Sequence, residues 1–121
     1  MYQNEYEVVF ITSAELGDDQ YQAVVARVTE AIEKFDGTVL VNESWGRRKL
    51  AYPIRKQLYA NYTLIDFVGP ATLPKELTRL SRIDDKFMRL LTVKIDDRVD
   101  ATVVKEAAEK RSVQRLERLN S

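Results

Sequence analysis

A chain of 121 residues with 45% hydrophobic content fits a single domain with one core. It holds no cysteine and no histidine, which excludes disulfides, thiolate metal sites and thiol catalysis and removes the commonest general base and metal ligand. Its formal charge is zero, but the signs are segregated: residues 1–45 carry two cations against nine carboxylates, residues 46–94 carry eleven against four, and residues 95–121 carry six of each. That pattern predicts one acidic and one basic surface, suited to an oriented encounter with a polyanion.

Tyr2-Gln3-Asn4-Glu5 is polar and unlike a secretory signal, and no apolar run reaches membrane-spanning length. The expectation is a cytoplasmic protein with no membrane partner. Tyr6 to Ile11 is a short β-branched run that reads as a buried, central strand. Beyond Gly17, with Asp18 or Asp19 as cap, Tyr21, Val24, Val25, Val28, Ile32 and Phe35 recur at helical steps up to a closing Gly37. Thr38-Val39-Leu40-Val41 opens a second strand running toward Trp45, and Tyr59 to Phe67 forms a third, paired with it as a hairpin. After Gly69-Pro70, Thr72 can cap a second helix with Leu73, Leu77 and Leu80 as its buried stripe, ending near Asp84. Phe87 to Ile95 is the last strand.

The order strand, helix, strand, strand, helix, strand predicts an α+β, ferredoxin-like split βαβ fold: a four-stranded antiparallel sheet with both helices on one face and the other face bare. Residues 1–96 form this domain. Residues 97–121 read as a charged C-terminal extension, helical when docked, with Val103, Ala107 and Leu116 as a thin apolar stripe.

The most informative segment lies between the second and third strands. Trp45 to Lys56 packs five cations, Arg47, Arg48, Lys49, Arg55 and Lys56, and two large aromatics into twelve residues without one carboxylate. Gly46 suits a bend or bulge and Pro53 holds Tyr52 extended, so the cations are placed at a strand end and hairpin loop. Guanidinium groups held this way suit phosphates. The bland alternative is a solvated loop, but cations concentrated without countercharges repel one another unless a partner relieves them. Lys75, Arg79, Arg82 and Lys86 line one face of the second helix and form a possible secondary basic face, for which ordinary solvation is an equal competitor. Arg89 and Lys94 on the last strand give a weaker signal. Tyr52, Tyr59, Tyr62 and Phe67 lie in or beside the basic region; Phe67 and one of the tyrosines are assigned to the core, the others to stacking on bases or on a protein.

Nothing supports catalysis. Asp84-Asp85 and Asp96-Asp97 sit at element ends, where acidic turns are common, and no metal site, cofactor or small-molecule substrate is expected. The acidic stretch Thr12 to Asp19 does not supply the basic, glycine-rich loop of an acylphosphatase-like hydrolase. Asn61 to Phe67 lacks the aromatic signature of an RNA-recognition motif.

The run Gly46-Arg47-Arg48-Lys49-Leu50-Ala51-Tyr52-Pro53-Ile54-x-Lys56, with Tyr6-Glu7 before it and Tyr62, Phe67, Glu76-Leu77, Arg82-Ile83, Asp85 and Arg89 after it, resembles the bacterial ribosomal protein six family of the small subunit. The resemblance runs from about Tyr2 to Ile95. It departs at Ala60, where glycine is usual, at Thr78, where an acidic residue is usual, and at Phe87-Met88 in place of Val-Leu. It implies the split βαβ fold and a non-enzymatic role: binding small-subunit ribosomal RNA jointly with ribosomal protein eighteen, in the cytoplasmic ribosome. RNA contact is then expected at Arg47, Arg48, Lys49, Arg55, Lys56 and Arg89, and docking of the partner protein at Trp45, Tyr52 and Tyr62 on the bare sheet face. The rival reading is a protein-interaction or regulatory domain of the same fold that binds no RNA.

Overall fold

The computed structural model describes residues 3–120; Tyr2, where the resemblance begins, lies outside the described residues. The elements are β1 (Gln3–Ser13), α1 (Asp18–Lys34), β2 (Thr38–Ile54), β3 (Gln57–Gly69), α2 (Leu73–Ile83), β4 (Phe87–Val99) and α3 (Ala101–Leu119). All four strands join one antiparallel sheet in the order β2-β3-β1-β4, the ferredoxin-like arrangement. β1 is central, as its unbroken β-branched character predicts, and β4 is an edge strand.

Alternation along the strands creates two faces. On the inner face, Tyr6, Val8 and Phe10 of β1 and Ile65 and Phe67 of β3 pack with Val24, Val25, Val28 and Ile32 of α1 and Leu73, Leu77 and Leu80 of α2. This is the main core, and it contains the leucine and valine stripes the sequence predicts. None of Tyr52, Tyr59 or Tyr62 joins it. The tyrosine expected there is absent because the register puts Tyr62 opposite Ile11, on the other face.

Helix ends differ in detail from the expectation. Gly17, not an aspartate, is the N-cap of α1; its backbone N–H donates to Gln20 Oε1 at 3.2 Å, while Asp18 and Asp19 occupy the first turn, where carboxylates favour the helix dipole. At the C-terminus, Asp36 takes the left-handed conformation (φ 67°), and the N–H groups of Asp36 and Gly37 close onto the carbonyls of Glu33 and Ile32. Gly37 is required one residue later for space: a Cβ there would meet the Ile32 carbonyl oxygen at 2.9 Å and Leu73 Cδ1 at 2.8 Å.

The larger differences concern β2 and the C-terminus. β2 does not stop near Trp45 but continues to Ile54, so Arg47, Arg48 and Lys49 are strand residues and only Arg55 and Lys56 form the turn. Gly46 (φ 75°) sits at a register shift between Ser44 and Gly46, the bulge predicted there. β4 likewise runs past Ile95 to Val99, and Asp100 caps α3 by accepting from the Thr102 N–H at 2.8 Å. α3 packs on the outer sheet face, which is therefore not bare: Ala108, Val104 and Ala101 meet Leu40, Val41, Val68 and Val99. Val103 and Ala107, predicted to face inward, are exposed, whereas Ala108 and Ser112 are buried.

Candidate nucleic-acid interface

The β2–β3 hairpin carries the cations, and its tip is a two-residue turn closed by the pair Ile54 and Gln57. Arg55 (φ 50°) and Lys56 (φ 64°) both take the left-handed conformation that such turns demand and that Asn-Gly usually fills. Two bulky cations here store strain of about 1–2 kcal/mol each. Replacing Lys56 by glycine is expected to stabilise the chain by about 0.5–1 kcal/mol, read from the urea midpoint, while removing a cation from the tip.

The five hairpin cations divide by what holds them. Arg55 donates to the backbone carbonyls of Asp85 (2.5 Å) and Phe87 (3.2 Å), so it ties the hairpin to the start of β4. Arg48 lies on the outer face, donating to the Trp45 carbonyl at 3.1 Å and the Leu119 carbonyl at 3.4 Å. Arg47 stacks over the Tyr59 ring at 4.1 Å, and Arg47, Lys56 and Tyr59 border a hollow of about 300 Å³ with Ala14, Glu15, Gln57 and Leu58. Lys49 is exposed across from Tyr59. Among the described residues no carboxylate pairs with Arg47, Lys49 or Lys56.

The aromatics form a second group. Trp45 and Tyr62 stack nearly parallel (9°) at 6.1 Å on the outer face, and the Trp45 Nε1–H donates to Glu43 Oε1 at 3.2 Å. Beside them Ile11, Leu50 and Ala60 form a small apolar cluster. Tyr52, which is 81% exposed, shares a hollow of about 100 Å³ with Tyr62, Arg89, Ile11, Leu50, Ala51 and Ile54. The structure thus brings Trp45, Tyr52, Tyr62 and Arg89 around one part of the sheet. Arg89 points outward opposite Ile11, at the sheet edge.

Lys75, Arg79 and Arg82 on α2 and Lys86 in the turn beyond it are all exposed, and the first three border a broad hollow with Glu76 and Thr78. Arg79 pairs with Glu76 at 3.2 Å and Lys86 with Asp84 at 3.8 Å. Asp84 also binds Arg27 at 2.5 Å, which gives this acidic turn a structural role.

Sequence reasoning missed a cluster on the outer face. Four carboxylates from three neighbouring strands, Glu5 and Glu7 of β1, Glu43 of β2 and Asp66 of β3, converge beneath α3. Arg111 Nη2 donates to Glu5 at 2.6 Å and to Asp66 at 3.1 Å. Arg115, one turn on, bridges Glu7 at 2.9 Å and Glu43. Burial, a hydrogen bond with Glu5 and the Glu5 charge push the Asp66 carboxyl up to about 8, with Arg111 opposing. Burial works against the charged Arg111 guanidinium, yet its contacts with Asp66 and Glu5 hold it above its ordinary value.

Asp66 therefore keeps a proton in the folded chain at pH values where the unfolded chain, with its ordinary value of 3.8, has lost it. This contribution to stability is complete at acid pH and is lost as the pH rises through about 8. Asp66→Asn is expected to remove that decline, so that its melting temperature exceeds the parent's at pH 9 and converges with it toward pH 5.

Among the described residues no cluster of carboxylates is arranged to hold a metal, and no helix is long and apolar enough to cross a membrane. The family model described as ribosomal protein S6 matches residues 5–94. The small ribosomal subunit protein bS6 of Geobacter sulfurreducens is 41% identical over 102 residues, covering 84% of this chain and 87% of that protein. Its counterpart from Geobacter metallireducens is 42% identical over 103 residues, covering 85% and 87%. The crystal structure of 30S ribosomal protein S6 from Thermotoga maritima superimposes with a TM-score of 0.73 at 25% identity, covering 90% of this chain and 98% of that one.

Proposed function

Since the chain belongs to the ribosomal protein S6 family, we propose that it is a structural component of the cytoplasmic small ribosomal subunit that binds small-subunit ribosomal RNA together with ribosomal protein eighteen. Its role is positional, without chemistry: cations fix the orientation of the protein on the RNA, and the outer sheet face receives the partner protein.

One observation carries the reading. Arg27, Arg111 and Arg115 pair with carboxylates, whereas Arg47, Lys49 and Lys56 sit together on one exposed hairpin with no such partner among the described residues. Unpaired cations on a strand-held scaffold suit a phosphate backbone, and Tyr59 under Arg47 keeps one guanidinium oriented before contact. Arg48 and Arg89 flank this set from the outer face. Arg55 serves mainly to hold the hairpin in place, and Lys75 and Arg82 supply a second, more diffuse basic area on α2. Tyr52 and Tyr62 line the shallow hollow, with Trp45 stacked on Tyr62 beside it, and an apolar side chain of ribosomal protein eighteen would dock there.

Filter retention of a central-domain ribosomal RNA fragment tests this, with and without ribosomal protein eighteen, at two salt concentrations. Salt-sensitive retention that tightens with the partner is expected. Retention under none of these conditions, with the partner still bound, would establish the rival protein-interaction reading.

A further inference from the structure

The outer sheet face is divided between an open half near the hairpin and a half occupied by α3, and the occupied half has an unusual composition. Glu5, Glu43 and Asp66 are buried to within about 2% of full exclusion, and Glu7 lies beside them. Asp66 holds a proton up to about pH 8, but the other three carboxyl groups, Glu5, Glu7 and Glu43, still outnumber the two guanidinium groups, so the site is acidic even with α3 in place. The apolar contact of α3 is confined to small and medium side chains near its start, Ala101, Val104 and Ala108 on Leu40, Val41, Val68 and Val99, while Val103 and Val113 are 74% and 57% exposed. Beyond that cluster its second half grips the sheet through the i, i+4 pair Arg111 and Arg115, with small side chains at 108 and 112 that let the helix backbone approach. Such a grip is exchangeable, because any helix with the same spacing of arginines and more positive charge satisfies these carboxylates better.

We propose that α3 is a displaceable cover over an arginine-docking surface, and that an arginine-bearing helix of the partner protein takes its place on Glu5, Glu7, Glu43 and Asp66. The occupant is a protein and not RNA, since a surface with this excess of carboxylates repels a polyanion. This rests on the partner reading given above and adds its mode of docking. It also links the two binding events. Arg48 Nη2 donates to the Leu119 carbonyl at the end of α3, so displacement of the helix frees this end of the guanidinium for a phosphate while its Nε stays on the Trp45 carbonyl.

Two full-length double variants separate a docking surface from a merely structural ion-pair cluster. E7Q/E43Q weakens the two Arg115 bridges and R111Q/R115Q weakens these and the two Arg111 bridges, so amide hydrogen exchange across 101–119 is expected to quicken in both. Their affinities for ribosomal protein eighteen are expected to move in opposite directions: about three- to tenfold tighter for R111Q/R115Q, which opens an intact acidic surface, and about tenfold weaker for E7Q/E43Q. A shift in the same direction for both, or weaker binding by R111Q/R115Q, would overturn the proposal. A labelled synthetic peptide of residues 101–121 supplies an arm without the partner. It is expected to bind R111Q/R115Q and not the parent chain, and failure to bind R111Q/R115Q also overturns the proposal. Peptide capture with no binding of ribosomal protein eighteen by any of the three proteins would support the arginine surface and overturn the partner assigned to it.

Discussion

Glutamine at both Arg47 and Arg48 is expected to weaken joint binding to ribosomal RNA on the order of tenfold to fiftyfold near 0.1 M salt, with the folded structure intact. Each phosphate neutralised contributes roughly 0.7–0.9 to the slope of log affinity against log salt, so removing two contacts should flatten that slope by about 1.4–1.8. The two positions act differently. Arg47 is preset over Tyr59, so its contact forms at low ordering entropy, whereas Arg48 must first leave the Trp45 and Leu119 carbonyls. Neither side chain pairs with a carboxylate among the described residues, so the melting temperature should change little. Filter retention across a salt series decides the matter: an unchanged slope would remove these arginines from the RNA contact and refer the binding to α2.

Phe67→Ala is the substitution expected to harm folding most. The ring is fully buried in a central strand, stacked on Tyr6 at 5.5 Å, with Tyr6 of β1 and Val39 of β2 as its cross-strand partners. Truncation removes the ring's transfer energy and leaves a cavity where three elements meet, at a cost of about 3–5 kcal/mol. Against a total stability of about 5–15 kcal/mol, this lowers the melting temperature on the order of 15 °C. Tyr52→Ala, at an 81% exposed position, is the control and should stay within about 0.5 kcal/mol. Calorimetry of the two proteins checks both values.

How much of this was legible depended on whether a residue's burial follows from its apolarity. The inner face was readable because Val24, Val28 and Ile32 on α1 and Leu73, Leu77 and Leu80 on α2 keep helical period against the alternating Tyr6, Val8 and Phe10. The extent of β2 was not, because Arg47-Arg48-Lys49 reads as loop by composition while its backbone is still paired with β3. The docking of α3 was hidden for a related reason. An apolar-stripe reading selects Val103, Ala107 and Leu116, but the helix is held by arginines on buried carboxylates, to which hydrophobic periodicity is blind. A usable signal did exist. Glu5, Glu7, Glu43 and Asp66 are acids inside strands otherwise suited to burial, and Arg111 and Arg115 stand one helical turn apart. For the candidate site, the sequence placed the cations on the hairpin but could not separate Arg55, spent on backbone carbonyls, from Arg47, Lys49 and Lys56.

The central position of β1 has a consequence for synthesis. The strand made first, Gln3–Ser13, pairs on one side with Gln57–Gly69 and on the other with Phe87–Val99, nearly the whole chain away. At about 5–20 residues per second, the interval between the emergence of β1 and of β4 is on the order of 10 s. During it Tyr6, Val8 and Phe10 have neither a complete sheet nor both helices above them. Closing contacts at such separation makes folding slower than the chain's length alone suggests. Until its final strand has left the exit tunnel the nascent chain keeps this apolar strand incompletely covered, and a chain cut short before Phe87 leaves its central strand with an open edge.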